Sequence, residues 1–274
     1  MEATNTPETI RKEDIRIKPP TTNGTAIIIQ RHGKYIRDKE SERVGSLDSE
    51  AFMEAKAQSA AVVKDTLLAL PPEERNKVDF LVVASDTYFI KGQRSMETAQ
   101  AVLEGIEQVL GEENLSGNYL LNESSRIRGN PGPRPTPQLR EPNMFTQAPE
   151  FEKFLLEHNP DDFWIAFEDD RYSEIRKKMG AEGPIELGDR LNHSLNLLSR
   201  FARRYHINNP DRRLVIWADS HYDTISPYIK QYVVPERKGY LPVDYGAGIG
   251  INISPEGAAT TEIEGTTYNV PLNA

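Results

Sequence analysis

The chain has 274 residues, of which 37% are hydrophobic and 27% are charged, so it is long enough for one substantial α/β core or for two small domains. Its net charge is −9 and it has no long run of Lys and Arg, which argues against nucleic acid as a partner. The absence of cysteine excludes disulfides, a cysteine-based zinc site and a thiol nucleophile.

The first 24 residues are polar and contain no apolar segment of the kind found in a secretory signal peptide. No apolar run elsewhere approaches the length needed to cross a bilayer. We therefore expect a cytoplasmic protein without a membrane partner. Residues 1–22 are expected to form a polar tail that is poorly ordered or lies on the surface, because Pro19-Pro20 and the Thr, Asn and Gly residues that follow interrupt any regular element.

The next part of the chain alternates strand and helix patterns. Short continuous β-branched or apolar runs are typical of strands that are buried on both faces, and longer runs with apolar residues at three- and four-residue steps predict helices. In chain order, these patterns predict a strand over 25–30, a helix over 49–69 ended by Pro71-Pro72, a strand over 80–84, and a helix over 95–110 with Gly111 just past its end.

The middle of the chain is less regular. Residues 124–137 carry four prolines and predict a loop. This loop opens an insertion around residues 124–184, whose Pro, Gly and charge content suits a lid over a pocket. The remaining predicted elements are helices over 149–157 and 185–206, a buried strand over 213–218, and a β-rich tail from Gly246 with a turn at 254–257.

This order of elements predicts the fold class. Alternating strands and helices indicate one α/β domain over residues 23–274, in which helices cover a mixed, mostly parallel sheet. Ligands of such folds bind beyond the carboxyl ends of the strands. The residues that follow Gln30, Ala84 and Ala218 are therefore the first candidates for a functional site.

Charged and imidazole side chains follow all three strands. Arg31 and His32 come directly after the first strand, Arg94 lies at the start of the helix after the second, and His221 follows the third. His32 and His221 are 189 residues apart in sequence (221 − 32), yet the topology predicts that they meet at one edge of the sheet. The sequence therefore predicts a pocket with two histidines and two arginines.

These segments resemble the three signatures of the histidine phosphatase superfamily, which includes the phosphoglycerate-mutase-like proteins. The first is the triplet Arg31-His32-Gly33 after the first core strand. The second is Ser85 near the end of the next strand, followed by Arg94 and by Glu97-Thr98-Ala99 on a helix. The third is a late strand that leads into Asp219-Ser220-His221. The resemblance implies a three-layer αβα sandwich of the phosphoglycerate mutase type.

The resemblance also implies roles for the residues of the pocket. His32 is expected to attack phosphorus and to carry the phosphoryl group as phosphohistidine, which divides one hard displacement into two easier ones. Arg31 and Arg94 offer planar, permanently charged donors to the phosphoryl oxygens. His221 is expected to donate hydrogen bonds to those oxygens as charge spreads over them.

A carboxylic acid must protonate the leaving oxygen, and two glutamates fit the pattern. Glu141 lies in Leu139-Arg140-Glu141, which is similar to a motif of the phosphatases in the superfamily. Glu123 lies in Leu121-Asn122-Glu123, which is similar to a motif of the mutases. Glu141 is favoured, because the proline-rich segment between the two is interpreted as an insertion ahead of the acid.

Four residues near the signatures bear on the substrate or differ from the usual pattern. Asp38 stands where many relatives have an asparagine, and Tyr222 stands where they usually have a glycine. Lys34 and Tyr35 follow the Arg-His-Gly triplet, where relatives often place groups that bind the substrate. We therefore take Lys34, Tyr35 and Tyr222 as candidate substrate-binding residues.

The sequence favours a phosphomonoester hydrolase that acts through His32 without a metal or another cofactor, on a small-molecule substrate. One alternative is a mutase of the phosphoglycerate type, and a second is a non-catalytic relative that only binds phosphate. A third is a metal-dependent hydrolase that uses Asp219, His221 and Asp223. Neither the substrate nor the oligomeric state is set by the sequence.

Overall fold

The computed structural model describes residues 7–122 and 132–272. Its core is a mixed sheet, which in the described residues has seven strands in the order β3-β2-β4-β1-β5-β6-β7. The strands are β1 (Thr25–Arg31), β2 (Val78–Ala84), β3 (Arg134–Pro135), β4 (Arg213–Ser220), β5 (Gly248–Ile253), β6 (Ala259–Ile263) and β7 (Thr266–Asn269).

The sheet has a parallel half and an antiparallel half. Strands β3, β2, β4 and β1 run parallel, whereas β5, β6 and β7 add to the other edge in antiparallel pairs. In the parallel half, Thr25 pairs with Leu214 and Val78 pairs with Arg213, so three strands start at the same level and end together. Their carboxyl ends therefore form one edge, as the topology rule predicts.

Helices cover both faces of the sheet. They are α1 (Ser49–Leu68), α2 (Pro72–Arg75), α3 (Arg94–Glu112), α4 (Pro149–His158), α5 (Phe163–Glu168), α6 (Ser173–Lys178), α7 (Pro184–Asn208) and α8 (Tyr222–Tyr228). Short 3-10 turns at Lys12–Asp14, Pro137–Leu139 and Asn143–Phe145, and a π turn at Ile229–Val233, complete the described elements.

Alternate residues of each buried strand pack on opposite helical layers. Ile28 of β1 belongs to a core shared with α1 and α3, and Ile27 and Ile29 belong to a core shared with α7 and α8. Strands buried on both faces need apolar side chains at every position, which is why β1, β2 and β4 read as continuous apolar runs. The predicted α/β fold, with a mixed sheet between helical layers, is confirmed.

The end of helix α3 and the packing of the N-terminal segment differ from what the sequence predicts. Helix α3 does not end before Gly111 but continues through it to Glu112. Before β1, Ile10 is fully buried and forms a bridge with Val243, and Ile15 is buried in the core under α1 and α3. The described part of the N-terminal segment therefore contributes apolar side chains to both cores.

The segment between β3 and α7 forms a small helical layer of its own. Helices α4 and α5 pack around buried aromatic and aliphatic side chains, which include Met144, Phe151, Leu155 and Phe167. This cluster adjoins the main core through Trp164, which packs against both. Among the described residues, no helix is both long enough and apolar enough to cross a membrane.

Helices α1 and α3 approach each other closely at Gly105. A Cβ atom placed on Gly105 would lie 2.1 Å from the Ser59 Oγ and 2.4 Å from the Lys56 carbonyl oxygen. Gly111, in the same helix, has no atom within 4 Å of such a Cβ. The first glycine is therefore required by packing, and the second is not.

We predict opposite effects for alanine at these two positions. Gly105→Ala should lower the free energy of unfolding by about 1–3 kcal/mol, because backbone atoms must move to admit the methyl group. Gly111→Ala should raise it by about 0.5–1 kcal/mol, because alanine loses less backbone entropy in a helix. Urea unfolding followed by circular dichroism measures both. Equal effects at the two positions would contradict the close packing of α1 on α3.

Candidate functional site

The three strands that end together bring the predicted site residues into one place. Arg31 at the end of β1 pairs in register with Ser220 at the end of β4, and Ala84 at the end of β2 pairs with Asp219. The next residues along the chain therefore meet at this edge of the sheet. The rings of His32 and His221 lie 5.2 Å apart between their centroids.

His32 is buried and its ring is fixed at both nitrogens. Its Nδ1 lies 2.8 Å from the carbonyl oxygen of Gly33, and its Nε2 accepts a hydrogen bond of 2.9 Å from Arg94 Nε. Because a carbonyl only accepts, Nδ1 carries the hydrogen and Nε2 keeps its lone pair. Burial, and then the charge of Arg94, hold the pKa of His32 well below its usual range. The ring is therefore neutral, and its Nε2 lone pair accepts the hydrogen bond from Arg94.

Arg94 begins α3 and lies at the centre of the cluster. It is buried, forms an ion pair with Glu141 through Nη2, and packs against the rings of Tyr35 and Phe89 at 4.5 and 4.7 Å from their centroids. Its Nη1 is buried without a hydrogen-bond partner among the described residues. A buried cationic donor without a partner is costly, and an anionic oxygen in the site would satisfy it.

Arg31 is also fixed by a hydrogen bond and by contact with an aromatic ring. Its Nη1 donates a 2.5 Å hydrogen bond to the carbonyl of Val243, and its guanidinium lies 3.8 Å from the ring centroid of Tyr245. Its Nε has no partner among the residues described. Burial lowers the pKa of Arg31 from its usual value, but the guanidinium stays charged, because arginine is not deprotonated in proteins.

His221 forms the side of the site opposite His32. Its Nε2 hydrogen-bonds to Ser85 Oγ at 2.9 Å, and its Nδ1 lies 3.8 Å from Glu141 Oε2. Burial, followed by the charges of Arg94 and Arg31, holds the pKa of His221 well below its usual range. An anion bound between the two arginines would favour its protonated form, which could donate to that anion.

Two buried carboxyl groups lie beside these basic residues. Burial raises the pKa of Glu141, and the charge of Arg94 offsets part of that rise. Burial also raises the pKa of Asp223 well above its usual range, and Asp223 Oδ1 has no partner among the described residues. Of the two candidate acids, Glu141 is thus in the site, whereas Glu123 lies outside the described residues.

These side chains open into one cavity of about 410 Å³. Of the residues singled out as substrate-binding from sequence, Tyr35 and Tyr222 line it. Lys34 is exposed and lines a different cavity. Asp38 is also exposed, accepts a hydrogen bond from the amide of Glu40, and does not line the site.

Sequence reasoning missed Tyr245, which also lines the cavity. Its ring covers Arg31, and its hydroxyl accepts a 2.5 Å hydrogen bond from Arg37. Tyr245 lies in the turn between Val243 and β5, and that turn also supplies the carbonyl that receives Arg31. No local pattern marks this residue, because its role depends on a strand more than two hundred residues earlier in the chain.

The second missed residue is Glu168, at the end of α5. Its buried carboxylate accepts hydrogen bonds from the Tyr222 hydroxyl, from Ser226 Oγ at 2.8 Å and from the Leu241 amide at 3.2 Å, and it pairs with Lys230. Burial raises the pKa of Glu168 against the opposing charge of Lys230. This network fixes α5 to the helix that follows His221 and so positions the Tyr222 ring in the cavity wall.

The described residues hold no metal cluster. Within 7–122 and 132–272, no three or more His, Asp and Glu side chains are arranged to hold a metal ion. Asp219, His221 and Asp223, considered from the sequence as ligands, do not come together in that way. Asp219 lies in β4 with both carboxyl oxygens buried and without partners in the described part of the chain, and burial raises its pKa well above the usual range.

Comparisons with known proteins identify the fold. No protein-family model matches the chain, and no curated protein matches it in sequence. The solved structure of mycobacterial hydrolase 1 matches 89% of this chain and 99% of its own, with 15% identity and a TM-score of 0.51. Phosphoglycerate mutase from Bacillus anthracis str. Sterne matches 93% of this chain and 96% of its own, with 16% identity and a TM-score of 0.48.

A mycobacterial glucosyl-3-phosphoglycerate phosphatase also matches, over 85% of this chain and 94% of its own, with 16% identity and a TM-score of 0.48. The match to mycobacterial hydrolase 1 shows that this chain shares the fold of that protein. Identities this low show the fold alone, so the chemistry must be argued from the site.

The neutral state of His32 predicts a pH dependence of stability. Unfolded histidine binds a proton below pH about 6.5, whereas the folded pKa of His32 is well below that value. Below pH 6.5 the unfolded state therefore binds more protons, and stability falls as pH falls. From pH 7 to 5.5, His32 alone should remove about 1 kcal/mol from the free energy of unfolding.

The comparison of wild type with His32→Gln isolates this contribution. The variant should lose less stability than wild type over the same pH interval, measured by urea unfolding at each pH. His193→Gln, on the exposed face of α7, is the control and should keep the wild-type dependence. If His32→Gln and wild type depend on pH in the same way, His32 is not held neutral by its surroundings.

Proposed function

We propose that the protein is a metal-independent phosphomonoester hydrolase that acts through a phosphohistidine intermediate on His32. The observation that supports this most strongly is the state of His32, whose Nε2 is unprotonated and lies near buried Arg94, partly buried Arg31 and buried His221. A neutral nucleophile beside concentrated, buried positive charge is what a phosphate dianion requires.

The unpartnered donors support the binding of the phosphoryl group. Arg94 Nη1 and Arg31 Nε both lack partners among the described residues, and both side chains line the cavity. Arg94 Nε donates to His32 Nε2. A bound phosphoryl group would take over this donor, which frees the Nε2 lone pair to face phosphorus.

In the first step, His32 Nε2 attacks phosphorus and the bond from phosphorus to the leaving oxygen breaks. The leaving oxygen takes a proton from Glu141, whose raised pKa favours the acid form. Arg31, Arg94 and protonated His221 stabilise the charge that spreads over the other three oxygens. The products of this step are an alcohol and phospho-His32.

In the second step, water attacks phosphorus and the bond from phosphorus to Nε2 breaks. Glu141, now ionised, accepts a proton from the water, and inorganic phosphate leaves. Nε2 recovers its lone pair, while Nδ1 keeps its hydrogen bond to Gly33 throughout. A mutase would instead return the phosphoryl group to a bound acceptor, so the release of inorganic phosphate separates the two activities.

His32→Ala should abolish hydrolysis, because it removes the ring nitrogen that attacks phosphorus and that accepts the hydrogen bond from Arg94 Nε. We expect at least a 10³-fold loss of kcat for p-nitrophenyl phosphate, measured with EDTA present between pH 5 and 7.5. His193→Ala is the matched control. Wild-type turnover by His32→Ala would refute the assignment, and turnover only with an added phosphoglycerate acceptor would indicate a mutase.

Glu141→Gln should keep the hydrogen bond to Arg94 but remove the proton donor. For an alkyl phosphate, whose leaving alkoxide needs a proton, kcat should fall by about 10²- to 10⁴-fold. For p-nitrophenyl phosphate, whose leaving group is a weak base, the fall should be much smaller. Because Glu141 must be protonated, wild-type kcat for alkyl phosphates should decline as pH rises through its raised pKa.

The ratio of the two losses is the informative quantity. Equal losses for both substrates would show that Glu141 binds or positions the substrate without donating the proton. In that case Asp223, the other buried carboxyl group of the cavity, is the next residue to replace.

A further inference from the structure

We propose that the preferred substrates are phosphomonoesters of arylalkyl alcohols, with an aromatic leaving group that carries no negative charge. This inference rests on the proposed function and adds the class of the leaving group. It comes from the wall of the cavity that lies beyond Glu141, which differs in composition from the wall that holds the phosphate.

The position of the leaving group follows from the chemistry of the transfer. Attack is roughly in line, so the leaving oxygen lies on the side of phosphorus away from His32 Nε2. The same oxygen must reach the carboxyl of Glu141 to receive its proton. The organic part of the substrate therefore extends past Glu141, toward the helical layer whose Glu152 lines the same cavity and is close enough to Glu141 for the two charges to interact.

That layer presents mainly apolar side chains to the cavity. The Trp164 ring meets the rings of Phe163 and Tyr222 edge to face, each at 5.0 Å between centroids, and Phe145 lies 6.2 Å from it. The residues of this wall, which we call the aromatic wall, are Phe145, Glu152, Leu156, Phe163 and Trp164 of that layer, together with Tyr222 of α8. Rings held by their neighbours offer rigid contact area to another ring at low entropic cost.

The charge of the aromatic wall excludes acidic leaving groups. Among the described residues that line it, none is Lys or Arg, and Glu152 is half-buried with a pKa that burial raises. Arg31 and Arg94 are committed to the phosphoryl group. The remaining cations that line the cavity are Arg37 and Lys39, which come from the loop after His32, and Arg37 donates a hydrogen bond to the Tyr245 hydroxyl. A carboxylate next to Glu152 would be repelled.

The first test compares two substrates whose leaving groups are alike in basicity. These are 2-phenylethyl phosphate and ethyl phosphate, which are both esters of primary alcohols. Burial of the phenyl ring should raise kcat/KM by about 10- to 100-fold. 3-Phosphoglycerate, which carries a carboxylate, should fall well below 2-phenylethyl phosphate.

Two variants connect the preference to the aromatic wall. Trp164→Ala should reduce the ratio of kcat/KM for 2-phenylethyl phosphate over ethyl phosphate by about tenfold, because the substrate ring loses its main contact. Phe154→Ala removes a ring from the same layer that does not line the cavity and should leave the ratio unchanged. Because the measurement is a ratio, it does not depend on the fraction of folded enzyme.

The outcomes separate this inference from the proposed function. The aromatic preference is refuted, and the hydrolase proposal stands, in either of two cases. In the first, the enzyme hydrolyses the esters but its kcat/KM for 2-phenylethyl phosphate is close to that for ethyl phosphate. In the second, it prefers 3-phosphoglycerate to 2-phenylethyl phosphate. If no ester is hydrolysed, the hydrolase proposal fails. Calorimetry can then compare the affinities of 2-phenylethylphosphonate and ethylphosphonate for the protein. The inference predicts that the first binds at least tenfold more tightly, and equal affinities would refute it.

Discussion

The hydrogen bond between His32 Nδ1 and the Gly33 carbonyl is the constraint on which the rest of the site depends. It fixes the tautomer, and with it the direction in which the Nε2 lone pair points. Burial and the nearby positive charges both oppose the protonation of His32. Here that opposition is what keeps the ring neutral. The same positive charge that prevents protonation of His32 is available to bind a phosphate dianion.

The fold supplies this positive charge by bringing separate segments of the chain together, although the chain as a whole is acidic. Its net charge of −9 gives no general attraction for phosphate. The parallel half of the sheet brings the ends of β1, β2 and β4 together, and each end contributes a basic or hydroxyl side chain. Tyr35 and Phe89 hold Arg94, and Tyr245 holds Arg31, through ring contacts that leave some of the donors of each guanidinium free.

The core and the centre of the site were predictable because each depends on local pattern and simple topology. A strand such as β1 is apolar at every buried position, and the residues after strand ends share an edge, which places His32 with His221. Tyr245 and Glu168 were not predictable. Glu168 is the last residue of a short helix and precedes two aspartates, a pattern typical of a solvated surface, and only tertiary packing sets it against Lys230. Gly111 resembles a helix end, and α3 ends only one residue after it, at Glu112.

The central claim is that Nε2 of His32 carries the phosphoryl group during turnover. Its most direct test is to mix the enzyme with a phosphomonoester, quench it in base within milliseconds, and locate phosphorus in the digested protein by mass spectrometry and phosphorus NMR. The account predicts phosphohistidine at position 32, substituted on Nε2. Phosphorus on Nδ1, phosphorus on another residue, or turnover with no phosphoenzyme at all would contradict it.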